Sequence, residues 1–376
     1  LFASIFASQI VVTFTSKTRA YLKDPLMPVV LFSTVILIAL IAFLVPKGGV
    51  TSAVLILFFV EYLVLLPGSY LQFRKFEKRI RFFLDLKSES LSTHRGCPRE
   101  PSQDVKIAIL MTTFNGSSYI KQQLLSIENQ TYRNWVLHVS DDGSTDSTLT
   151  ILEVFASKHI GRVFIYRNNS NLGFVANFFS LICNSTIREK YYALCDQDDI
   201  WGINKLSVGI EQICEFDSQA ALYCSRTLSV DSTAANYLEY SPLFGKPLTF
   251  ENAIVQSIAG GNTMIFNHLT KQLVIDSNHA HDLGSLPSHD WWIYILVSGH
   301  GGLIKYDPGA NILYRQHSKN IVGTNVGLRA ALARLLKLKK GTFRVWNQLN
   351  IEALSNCHAL LTAETNNALE DFIGCK

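Results

Sequence analysis

Seven cysteines are scattered from Cys97 to Cys375, and none of them forms a CxxC pair. An odd, unpaired set is neither a disulfide framework nor a zinc site, and it suits a reducing compartment. No G-x-G-x-x-G follows the first candidate strand and no G-x-x-x-x-G-K-[ST] occurs anywhere, so dinucleotide and P-loop readings fall away. Charge is also scarce. The net value of +4 is too mild to argue for a nucleic-acid partner. There is no internal repeat and no low-complexity tract. What the chain has in quantity is apolar residues: 48% of the total, with a mean hydropathy of +0.17, which points to a membrane part.

That part is read near the N-terminus. After an N-terminal segment (residues 1–25), residues 26–46 carry no charge, and residues 50–67 form a second apolar run broken only by Glu61. Lys47-Gly48-Gly49 between them leaves room only for a tight turn. A two-helix transmembrane hairpin is therefore expected over residues 26–67. A cleaved signal peptide is disfavoured, because the first run is too long and lacks a small-residue cleavage site. Lys17, Arg19 and Lys23 precede the first span, and Arg74, Lys75, Lys78, Arg79 and Arg81 follow the second. By the positive-inside rule both ends face the cytoplasm and the tip of the hairpin lies outside, which leaves the larger part of the chain cytoplasmic. Residues 68–104 read as a basic juxtamembrane segment and linker.

From residue 105 the texture changes. Apolar runs at 105–111, 135–140, 163–167 and 191–195 read as strands, and helical patterns follow each of them. Alternation of this kind implies an α/β fold: a Rossmann-like, mainly parallel sheet with helices on both faces. Loops that follow parallel strands gather along one edge. The fourth loop is the most telling. Asp196, Gln197, Asp198 and Asp199 end a buried run, and crowded carboxylates want a cation between them. A capping turn would explain the same acids, since Asp favours helix N-termini. Beyond it, residues 257–267 hold a Gly-Gly bend before a short strand. Residues 287–297 run from a turn into an apolar helix, and 302–306 and 311–315 read as two short strands.

The order TTFNG, QTYRNW, DDGSTD, NLGFVANF and CDQDDIW resembles the glycosyltransferase family 2 nucleotide-diphospho-sugar domain, of GT-A type. GGNTMIFN, PSHDWW and YRQHSKN resemble its bacterial rhamnosyltransferase-like branch. The resemblance covers residues 105–325. It implies that Thr112, Asn115 and Asp142 line a nucleoside pocket, and that Asp196-Gln197-Asp198 is a DxD motif. Asp198 would then be the direct ligand of Mg²⁺ or Mn²⁺, with Asp196 facing the ribose or the metal waters. Asp290 stands where the family places its general base, and Asp199 is left to serve the helix that follows. Arg315, His317 and Trp291 are expected to contact the diphosphate or the acceptor.

Two positions depart from the family pattern. His289 stands where an acidic neighbour of the base is usual, and no Q-x-x-R-W occurs, which argues for adding one sugar at a time. The implied activity is inverting transfer from a nucleotide-sugar donor, with dTDP-L-rhamnose first and another donor such as UDP-hexose as the alternative. The acceptor would be a lipid-linked saccharide in cell-surface polysaccharide synthesis. A non-catalytic sugar-nucleotide or glycan-binding module is the rival from another class. Residues 326–376 are helical, and Arg329, Arg334, Lys337, Lys339, Lys340 and Arg344 occur there with no acid between them. Such a helix suits an anionic membrane surface or a solvated face over a core.

Overall fold

Strand β1 (Ile107–Thr113) has all seven residues buried, as a strand covered on both faces must. It pairs in parallel with β2 (Trp135–Asp141) on one side and with β4 (Tyr191–Cys195) on the other, and β3 (Val163–Arg167) extends the sheet beyond β2. The registers bring the strand ends level: Thr113 lies opposite Asp141, Asp141 opposite Arg167, and Met111 opposite Cys195. Every loop that follows these strands therefore opens at one edge. The computed structural model describes residues 105–317 and 341–374.

Side-chain alternation along β1 divides the core in two. Ile107, Ile109 and Met111 join apolar residues of helices α1 (Ile120–Glu128), α2 (Thr148–Lys158) and α4 (Lys205–Ile213). Ala108 and Leu110 point to the other face. There α3 (Phe174–Ile182), α5 (Phe250–Ala253), α6 (His268–Ala280) and α7 (His289–Gly299) supply Phe178, Ala253, Val274, Trp292 and Ile295. Each large apolar side chain buried in this way contributes about 1.5–3 kcal/mol.

The sheet is mixed, where a mainly parallel one was expected. Its nine strands run β3-β2-β1-β4-β8-β6-β9-β5, with β7 (Tyr237–Tyr240) attached to β6 (Ala221–Val230). Strand β8 (Ile265–Asn267) lies antiparallel to both β4 and β6. The reason is where the chain enters it. The turn Gly261–Thr263 sits at the edge where the parallel strands end, so the next strand can only run back from that edge. Strand β5 (Ile200–Trp201) pairs antiparallel with β9 (Leu303–Arg315). The two short strands expected over 302–315 are one strand, β9, whose pairing with β6 shifts register between Ser225 and Arg226 and again before Leu228.

Helix α8 (Thr342–Asn356) adds Ile351, Ala353 and Leu354 to the core beside α7, and α9 (Ala363–Gly374) adds Leu369. Thr362 N and Thr365 Oγ1 both donate to the Gly299 carbonyl, at 3.0 and 2.6 Å. Residues 342–374 thus cover the core, and Arg344 is exposed. The other five basic residues of that region lie outside the described residues, as do the hairpin at 26–67 and the segments 1–25 and 68–104. Among the described residues no helix is long and apolar enough to cross a membrane.

Candidate active site

The four residues after β4 diverge, and three of them bind different distant segments. Asp199 is fully buried: Asn262 Nδ2 donates to its Oδ2, and the Arg315 amide donates to Oδ1 at 3.2 Å. Burial pushes this carboxyl well above the usual range, with the Asp198 and Asp196 charges adding to the effect. Asp199 does not serve the following helix, as expected of it. The chain passes into β5 first, and α4 begins only after Asn204. Asp198 Oδ2 lies 2.8 Å from His317 Nε2, and the His317 ring stacks on Tyr119 with centroids 4.6 Å apart. The Gln197 amide pairs with the Phe114 peptide through two 3.0 Å bonds. Asp196 is partly exposed. Its pKa is pushed up to about 8 by desolvation, then by the charges of Asp198 and Asp290.

The turn that leads into β8 places α7 at the same edge: Leu194 N of β4 donates to Met264 O at 3.1 Å, and Gly261 of that turn meets Asp290. Asp290 lies in the first turn of α7, where the helix N-terminus favours a carboxylate. Gly261 N donates to its Oδ2 at 2.8 Å and Trp291 N to its Oδ1 at 2.7 Å, while Ser288 Oγ also donates to Oδ1. Loss of hydration outweighs these bonds and raises the group to about 6. A carboxylate at that value is mostly ionised at neutral pH and still able to accept a proton. Gly261 is required for the approach: a Cβ there would lie 2.4 Å from His289 Nε2. His289 is buried and stacks on Phe178 at 4.0 Å, and burial lowers its pKa to about 3, so it is neutral beside Asp290.

The loops after β1 and β2 are tied together. Asn115 adopts φ 48°, a left-handed conformation that asparagine tolerates, and its Oδ1 accepts from Thr145 N at 2.8 Å. Asp141 accepts from Thr113 Oγ1, Ser144 N and Ser144 Oγ at 2.6–2.8 Å. Asp142 accepts from Asn168 Nδ2, Leu172 N and Gly173 N at 2.8–3.0 Å. Both aspartates therefore brace loops. Thr112 stands at the end of β1, largely buried, opposite Ser140.

Two expected contact residues are placed differently. Arg315 is 1% exposed, and its guanidinium donates to Asp198 O at 2.7 Å, to Ser232 O at 2.9 Å and to Gln122 Oε1. It braces the acidic loop from behind and is not a diphosphate clamp. Trp291 is buried against α5, with its Nε1 donating to Ala253 O at 2.7 Å, so it packs the helix and does not face an acceptor. Trp292 is buried as well.

The profile described as Glycosyl transferase family 2 matches residues 108–272, which include β1 to β4 and the acidic loop. The chain is similar to that family over this stretch. It is 26% identical over 277 residues to the dTDP-rhamnosyl transferase RfbG of Shigella flexneri, covering 70% of this chain and 90% of that protein. An uncharacterized glycosyltransferase of Haemophilus influenzae is 41% identical over 95 residues, or 25% of this chain and 28% of that one. Among solved structures, S. aureus TarS 1-349 in complex with UDP-GlcNAc is 18% identical with a TM-score of 0.45, covering 57% of this chain and 60% of that one.

The side-chain donors at this edge suit a hard divalent ion. Among the described residues no group of three His, Cys, Asp or Glu is arranged to hold a metal. Asp198 and His317 offer two donors 2.8 Å apart, and Mg²⁺ commonly takes one or two protein ligands and completes its shell with phosphate and water. Asp196 is raised first by desolvation and then by the charges of Asp198 and Asp290, and a cation would offset that second contribution. Sequence reasoning missed Asn262 and Gln122, the partners of Asp199 and Arg315. The Gly-Gly bend before Asn262 was the available signal for the first, and nothing in the local sequence marks the second.

Proposed function

We propose that this chain is a membrane-anchored inverting glycosyltransferase that moves a sugar from a nucleotide-activated donor to a lipid-linked saccharide. The donor we favour is dTDP-L-rhamnose, because the relative matched over 90% of its length is a dTDP-rhamnosyl transferase. The observation that carries the reading is Asp290: a partly exposed carboxylate raised to about 6, at the edge that also holds the acidic loop.

The residues divide the work. Thr112, Asn115 and Asp142 form the wall of the nucleoside pocket, with Asp196 toward the ribose. Asp198, with His317 beside it, would hold Mg²⁺ or Mn²⁺. The ion would supply neutralisation of the charge that grows on the departing diphosphate. Asp290 takes the proton of the acceptor hydroxyl as its oxygen attacks C1. The C1–O bond to the diphosphate breaks on the opposite face, and the anomeric configuration inverts. Neutral His289 adds no second negative charge next to that base.

Anchoring falls to residues 26–67, and their basic flanks set the catalytic domain on the cytoplasmic side of the inner membrane, where activated sugars are made. The acceptor class follows from that topology. The test is product analysis with a panel of labelled donors, dTDP-rhamnose, UDP-galactose and UDP-glucose, on isolated lipid-linked oligosaccharide with and without chelator. Transfer from dTDP-rhamnose that chelator abolishes supports the reading; transfer from a UDP-hexose alone reassigns the donor, and no transfer from any donor sinks the enzyme reading.

A further inference from the structure

Asp196 and Asp198 have roles above, but Gln197 between them has none. Its side chain is nonetheless firmly placed. Gln197 Nε2 donates to the Phe114 carbonyl, and Phe114 N donates to Gln197 Oε1, both at 3.0 Å. A carboxamide paired with a peptide in this way copies the hydrogen-bonding face of a neighbouring strand, and it fixes direction as well as distance.

Room for the pair comes from Gly116. A Cβ at 116 would meet Gln197 Oε1 at 2.0 Å and Cδ at 2.5 Å, and the three nearest atoms all belong to Gln197. Gly116 is not among the glycines at positive φ, so its backbone would accept alanine. Its amide donates to Thr148 Oγ1 at 2.8 Å, a bond that alanine would keep. The need for glycine at 116 therefore arises from Gln197.

Phe114 sits between two residues already tied to the second loop, Thr113 through Asp141 and Asn115 through Ser144 and Thr145. Its own ring is exposed. The Gln197 amide is what links this pair of loops to the acidic one from the front. We propose that Gln197 is a positioning residue, a latch that sets the nucleoside pocket and the cation site in fixed relation, so that each ligand strengthens binding of the other. The proposal rests on the nucleotide-sugar reading above.

A double-mutant cycle tests it. Binding of dTDP, UDP and GDP is measured by calorimetry with and without Mn²⁺ on the whole chain and on Gly116→Ala, Gln197→Ala and the double variant. Two hydrogen bonds are at stake, so each single change is expected to weaken binding of the preferred diphosphate about tenfold in the presence of Mn²⁺. The double variant is expected to match Gln197→Ala, because the alanine methyl then has space. The strengthening of diphosphate binding by Mn²⁺ is expected to shrink in all three. Gln197→Glu, which keeps the size but sets an oxygen against the Phe114 carbonyl, should behave like Gln197→Ala and guards against a misfolded Gly116→Ala.

Multiplicative losses in the double variant, or an unchanged Mn²⁺ effect in Gln197→Ala and Gln197→Glu, overturn the latch and leave the nucleotide-sugar reading standing. Failure of the unaltered chain to bind any of the three diphosphates overturns that reading and the latch with it.

Discussion

His317 Nε2 lies 2.8 Å from Asp198 Oδ2, across 119 residues of sequence, and its ring is held flat against Tyr119. The Tyr119 ring that supports His317 also lies 5.0 Å from the guanidinium carbon of Arg315, so one aromatic side chain holds both residues of the last strand's end against the acidic loop. Replacing His317 by alanine is expected to raise the Mn²⁺ concentration for half-maximal activity about tenfold, the loss usual when a metal site is disturbed. Titrating Mn²⁺ against the rate, and against the free-ion EPR signal, checks it; an unchanged midpoint in both would remove His317 from the site.

Asp290 predicts a pH profile. A base acts only when ionised, and burial raises this one to about 6. The rate should therefore fall as pH drops below about 6 and level off above it. Asp290→Asn is expected to lower kcat about a thousandfold with donor affinity within twofold of the original, within the range for general-base removal. A profile centred near ordinary carboxylate values, or normal turnover in Asp290→Asn, would count against the assignment.

Gly261 offers a second handle on the same carboxylate. Alanine there would press on His289 Nε2 at 2.4 Å and on Asp290 Cβ at 3.3 Å, yet it would retain the amide that donates to Asp290. We expect Gly261→Ala to lower kcat about a hundredfold and to leave diphosphate binding unchanged, as a misplacement of about 1 Å would. Steady-state kinetics alongside dTDP calorimetry separates the two quantities.

Stability should answer to the brace behind the loop. Asp199→Ala strips acceptors from the Asn262 amide and the Arg315 backbone N–H, both buried, and should cost about 2 kcal/mol or more in urea denaturation. Arg315→Lys loses the fork that reaches Asp198, Ser232 and Gln122 together and should cost a similar amount. A silent Arg315→Lys would mean that these contacts do not hold the loop.

Much of the first half was legible in the chain. The strand over residues 191–195 was read with its observed bounds, and β1 and β2 within two residues, because strands buried on both faces are written as unbroken apolar runs. The direction of β8 was not, since three residues carry no directional signal and the decision was made at Gly261. In the site, Asp196 and Asp198 leave β4 beside the turn whose Gly261 bonds Asp290. Arg315 and Trp291 were assigned outward roles because their chemistry is visible in the sequence. Their partners Gln122, Ser232 and Ala253 become neighbours only in the fold.

The brace has a consequence in time. Asp198 emerges 117 residues before the Arg315 side chain that holds its carbonyl. At the ribosome's pace of about 5–20 residues per second, that interval lasts roughly 6–23 s. During it the nascent chain has its first four strands and their loops but not the last strand. A chain stalled or truncated before residue 315 would present the acidic loop without its support. Completion of the catalytic edge is thereby deferred until nearly the whole domain has left the ribosome.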